Sequence, residues 1–109
     1  MQFSLRVICC RKNIPSIKKK ISALTEYLGI SENFEFISYW KHSECVVSEI
    51  FSVIESPDYE KIKQYILQIS GADNIFSDNF AENWECSYFT SVDRLLSEQE
   101  IAFVVCNIF

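Results

Sequence analysis

The 109-residue chain has few of the residues that punctuate a fold or catalyse a reaction: two glycines, two prolines and one histidine. Both glycines are needed as helix stops, which leaves none for a G-x-G-x-x-G or P-loop phosphate cradle. Five cysteines (Cys9, Cys10, Cys45, Cys86, Cys106) leave one unpaired in any disulfide scheme, and none falls in a C-x-x-C spacing. Most sit in apolar, strand-like runs, so they read as small buried hydrophobes in a reducing compartment. Cys9 and Cys10, as neighbours on a strand, face opposite ways and are poorly placed to share an ion.

No apolar run reaches the 18 or so residues of a membrane span. Phe3 to Cys10 is short, broken by Arg6 and without a small-residue cleavage site, so no signal peptide is expected and the location expected is cytoplasmic. No acid occurs before Glu26, while Arg6, Arg11, Lys12 and Lys18 to Lys20 give residues 1–25 a charge of +6. The remainder holds four bases against fifteen acids, or −11, for a net −5. That polarity lacks the continuous basic footprint of nucleic-acid binding and suits the steering of a basic partner, although solubility accounts for it too. Lys18-Lys-Lys20 reads as the solvated side of a helix. The single histidine, His42, lies near Cys45, but a nucleophilic pair needs a pocket and an orienting third group, so neither residue is assigned a catalytic role and no enzyme activity is expected.

The apolar content of 49% and the aromatic content of 15% describe one globular domain spanning residues 1–109, rich in sheet. Ile14, Ile17, Ile21, Leu24 and Leu28 draw one apolar stripe along a helix, with Pro15 in its first turn and Gly29 as its stop. Tyr59, Ile62, Ile66 and Ile69 draw a second, with Ser56 as N-cap, Pro57 as first helical residue and Gly71 as stop. Proline to glycine is fourteen residues in both, which suggests two repeats offset by forty-two. Strand-like runs at 3–10, 34–40, 45–54 and 84–90 surround these helices, and 41–44 reads as a hairpin loop. The order β-α-β-β-α-β is that of an α+β, ferredoxin-like split βαβ sandwich with both helices on one face of an antiparallel sheet. Residues 101–109 form an additional C-terminal strand, added at an edge or paired with the fourth, after a short helix around Val92 to Leu96.

The link after the first helix needs four residues, whereas that after the second takes twelve, 72–83. Loops this much longer than their counterpart are often functional. With its flanks the stretch reads GADNIFSDNFAENWE and holds four acids, three large aromatics and no base. It departs from the D-x-[DN]-x-[DN]-G pattern and has no glycine for a calcium-loop turn, so no metal is assigned. As a partner-binding element it offers Asp73, Asp78, Glu82 and Glu85 to a basic surface, with Phe76, Phe80 and Trp84 as aromatic anchors. In the alternative, Ile75, Phe76 and Phe80 tuck into the core and the acids solvate the loop. Asp93, Glu98 and Glu100 extend the acidity, and Glu44, Glu49, Glu55, Asp58 and Glu60 form a second candidate surface.

A small, acidic, strand-rich single domain of this type resembles the immunity proteins of bacterial toxin systems, including contact-dependent growth inhibition. The resemblance implies a protein that binds the C-terminal domain of a cognate toxin, often a basic nuclease, and blocks its active site or substrate surface. The charge distribution and the lack of a phosphate cradle or of a membrane-length apolar run lead to the separate expectation of no cofactor, no nucleic acid and no membrane partner. The reading from another class is a ferredoxin-like regulatory domain that binds a small ligand as a dimer.

Overall fold

The computed structural model describes every residue except Glu32, Ala81 and Gln99, and describes Phe80 by its backbone alone. The chain is a mixed α/β domain with a six-stranded antiparallel sheet and three α-helices among the described residues. The strands are β1 (Gln2–Cys10), β2 (Ile37–Ser38), β3 (Cys45–Val53), β4 (Phe76–Phe80), β5 (Asn83–Tyr88) and β6 (Ala102–Ile108). Their spatial order is β2-β3-β1-β6-β5-β4, with every neighbouring pair antiparallel.

Alternation along β1 divides the sheet into two faces. Phe3, Leu5, Val7 and Cys9 point to one side, where Ile50 and Val46 of β3 and Ile108, Cys106, Val104 and Ala102 of β6 are their register partners or lie on the same rows. Helices α1 (Ile14–Leu28) and α2 (Tyr59–Ser70) cover this side and seat Ile17, Ile21, Leu24, Ile62, Ile66 and Ile69 against it, all fully buried. A third helix, α3 (Val92–Ser97), packs Leu95 on the other side against Ile8 and Val47, with Phe103 beside them.

The helix boundaries follow local chemistry. At the end of α1, Gly29 takes φ 71°, and the Ile30 N–H donates to the Thr25 carbonyl at 2.9 Å, which closes the last turn. The start of α2 differs from expectation: Asp58, not Ser56, is the cap, its Oδ1 accepting from the Lys61 N–H at 3.2 Å. A carboxylate there both satisfies a free amide and faces the positive end of the helix, with Glu60 adding to the effect in the first turn. Ser56 lies before the helix at φ 44°.

Three strand assignments also change. Residues 34–40 yield only the two-residue β2, because Phe34 and Phe36 turn toward the helix-side core and meet edge to face at 6.2 Å. Part of the expected long loop, 76–80, is β4, the outer arm of a hairpin with β5. The C-terminal strand β6 does pair with β5, the expected fourth strand, but it lies inside the sheet between β1 and β5 and not at an edge, so β5 does not touch β1. Composition explains the exchange, since β6 carries no charge and buries alternate residues, whereas Asp78 and Glu85 suit the hairpin to the rim.

Gly71 ends α2 at φ 69°, and a Cβ there would run into the Glu100 backbone carbonyl. At Gly29 the same Cβ would meet open space. Gly29→Ala is therefore expected to cost only the left-handed backbone term, about 1–2 kcal/mol. Gly71→Ala adds a backbone clash, so urea unfolding should show the larger loss at position 71.

Candidate functional site

The face opposite α1 and α2 is covered by α3 at one end only. Register places its residues in rows that cross five strands. One row runs Asp78, Glu85, Asn107, Ser4, Phe51, and the next Phe76, Ser87, Val105, Arg6, Glu49. Phe51, Val53 and Phe76 are 63%, 66% and 56% exposed, and Phe109 is exposed at the same end as Val53. Exposed apolar side chains are ordinary when scattered; here Phe51, Val53 and Phe109 lie together at one end of the face, and Phe76 stands four strands away from β3 on the same side.

Charge on this face is uneven. Arg6 and Glu49 pair at 3.0 Å in the middle, both about half exposed, and neutralise one another. Between Ser4, Phe51, Val105, Asn107 and this ion pair lies a shallow depression of about 260 Å³. At the rim, Asp78 stands directly opposite Glu85, and neither belongs to an ion pair among the described residues. Like charges directly opposed across two strands destabilise the pairing.

The fold separates the sequence-derived candidates. Phe76, Asp78 and Glu85 share the open face, as neighbours in the hairpin. Phe80 falls in β4, but its side chain lies outside the described residues. Glu82 is exposed in the turn of the same hairpin. Trp84 is not a surface anchor: its register turns it to the helix side, where it is 7% exposed and packs on Tyr59 with ring centroids 5.2 Å apart. Asp73 lies at the other end of the hairpin, lining a hollow with Tyr88, Arg94, Glu98 and Ile101. The 72–75 link and the connection after β5 therefore meet, because the hairpin folds the chain back on itself.

Acids beyond the hairpin have local partners. Both Glu98 oxygens accept from Arg94, at 2.8 and 3.0 Å, and these bonds hold the carboxyl below its usual range and raise the guanidinium. Glu100 accepts from the Ser16 hydroxyl at 3.2 Å. Asp93 is exposed in the first turn of α3. In the second candidate surface Asp58 is consumed as a helix cap and Glu49 by Arg6. Two features of the open face escaped the sequence reading: Phe51 and Val53 as exposed residues, and the directly opposed Asp78 and Glu85.

The thiols are buried. Burial is the main force lifting Cys9 to about 12 and Cys86 to about 11, and it raises Cys45 and Cys106 as well. His42 uses Nδ1 to accept the Glu44 N–H at 3.1 Å within the hairpin loop. Among the described residues no cluster of three or more histidine, cysteine or acidic side chains is placed to hold a metal. No helix among them is long and apolar enough to cross a membrane. Comparison with protein-family models, with curated proteins and with solved structures returns no match.

The burial of Trp84 and exposure of Phe76 set opposite expectations for truncation. Trp84→Ala should cost about 3–5 kcal/mol in chemical unfolding, and Phe76→Ala should stay within about 0.5 kcal/mol. The raised thiols act in one direction only. The folded state favours the protonated form, so stability is full below pH 9 and falls as pH rises through about 11 and 12. Unfolding curves across that range, repeated on Cys86→Ala, should show a shallower decline in the variant.

Proposed function

We propose that the chain is a binding module of the immunity-protein type, one that engages a basic partner, the C-terminal domain of a cognate toxin, through its open sheet face and acidic hairpin. The observation that carries the reading is the unpaired, directly opposed Asp78 and Glu85 at the rim of an open, mixed sheet face that also exposes Phe76, Phe51 and Val53. Two carboxylates held together without a cation weaken the free fold and gain a counter-charge on binding. Beside them Phe76 and, further across, Phe51 and Val53 offer apolar surface that a partner can cover. Attraction over distance would speed encounter, and the burial of these side chains would slow release.

The wider plan supports a rigid platform. The order β2-β3-β1-β6, with α1 and α2 on one side, follows the ferredoxin-like split βαβ pattern if the β4-β5 hairpin is taken as an extension of the sheet. On this reading β6 takes the place expected of the fourth strand. The hairpin then presents the acids from a sheet edge, not from a loop.

Neutralising one acid should move stability and affinity in opposite directions. Asp78→Asn is expected to stabilise the free protein by about 0.2–0.5 kcal/mol, and to weaken binding to the toxin domain at least tenfold at low salt. The toxin domain is to be found by affinity capture from the source cell and confirmed by relief of growth inhibition on coexpression; calorimetry and thermal unfolding then measure the two effects. Unchanged affinity for a confirmed toxin domain would remove the hairpin from the mechanism. A captured protein whose activity is unaffected by this chain would remove the inhibitor reading.

A further inference from the structure

We infer that the outer edge of β4 is a docking edge, which takes up an extended segment of a basic protein as a seventh strand. The inference rests on the basic-partner reading and specifies the mode of contact. The sheet has two edges, and they differ. At one, β2 contributes only Ile37 and Ser38. At the other, β4 offers five consecutive residues in unbroken register with β5, so no bulge turns the edge away.

In an antiparallel edge strand alternate residues direct N–H and C=O groups outward, and these remain open to another chain. Beyond the ladder to β5, no backbone hydrogen bond occupies any of residues 76–80 among those described. The usual edge defences, proline and lysine, are absent from Phe76-Ser-Asp-Asn-Phe80. Its one charge is Asp78, reinforced by Glu85 directly behind it.

That charge selects the occupant. A second copy pairing β4 with β4 would bring two Asp78 and two Glu85 side chains into four adjacent strands, on a chain already at −5. An added strand from a basic protein would instead place lysine or arginine opposite Asp78, with an apolar side chain two residues away against Phe76 on the same face. Main-chain bonding then supplies affinity, and the carboxylate pair supplies the preference for positive charge.

The probe is a ten-residue peptide of alternating valine and lysine with blocked ends, titrated into the isotopically labelled full chain. Its controls are the valine–glutamate counterpart and a valine–lysine peptide N-methylated at every residue, so that neither of its edges can donate to β4. The expected result is saturable, salt-sensitive binding of the first peptide, with shifts and slowed exchange at amides 76–80. The N-methylated and acidic peptides should bind at least tenfold more weakly, and the D78K/E85K variant should reverse the charge preference. The methylated probe leaves the protein untouched, so the inference remains testable if the double variant fails to fold.

Equal binding of the N-methylated peptide would overturn strand addition while leaving the basic-partner reading intact. So would shifts confined to Phe51, Val53 and Val105, which would place the peptide on the face. Self-association that Asp78→Lys abolishes would make a second copy the occupant and overturn the inference. Failure of the basic peptide to bind would overturn it too, whereas the wider functional reading is judged separately on the confirmed toxin domain.

Discussion

The rest of the molecule depends on the double pairing of β1, which is registered with β3 along nine residues and with β6 along seven. With neighbours on both sides, β1 exposes no backbone edge, and its alternating side chains define both faces at once. One residue of slip would send Phe3, Leu5, Val7 and Cys9 to the other face and unseat both large helices. The buried helix-side core makes that register costly to change. The open face inherits its order from the same constraint, and so do the rows of side chains that cross it.

Much of this arrangement can be read from periodicity. The isoleucine and leucine stripes of α1 and α2 and their glycine stops recur in the folded chain because they are local, set by a 3.6-residue repeat and by the left-handed turn that glycine accepts. The place of β6 is not local. Its uncharged alternating run announces a strand, but whether that strand lies at an edge or in the middle depends on pairing across nearly the whole chain. Asp58 displaced Ser56 as cap in a competition between two adequate capping residues two positions apart, where backbone geometry, not residue type, decides.

The candidate surface is legible in a similar, partial way. The acidity of the 72–85 stretch is a composition signal and is visible at once. Sorting its members needs the period-two alternation of a hairpin: Asp78 and Phe76 go to the open face, whereas Trp84 is drawn beneath α2 with Tyr59. Phe51 and Val53 were hidden for a different reason. β3 carries apolar residues on both of its faces, Val46 and Ile50 on one and Val47, Phe51 and Val53 on the other, so its sequence does not mark either face as open. Here α3 covers only the Ile8 and Val47 end, and the far half is left in water.

That incomplete cover links the chain's energetics to its use. A six-residue helix packs one end of the second face, while exposed Phe51, Val53 and Phe76 forgo about 1.5–3 kcal/mol each that full burial of such side chains would contribute. The opposed carboxylates at the rim cost a little more. The fold can carry both because its stability is concentrated elsewhere, in the fully buried isoleucines of α1 and α2 over β1 and β6. A partner that covers the aromatics and neutralises the acids would gain free energy the isolated domain leaves unrealised. The helix-side core fixes the backbone on which those groups stand, so little of that gain would be spent on ordering the surface.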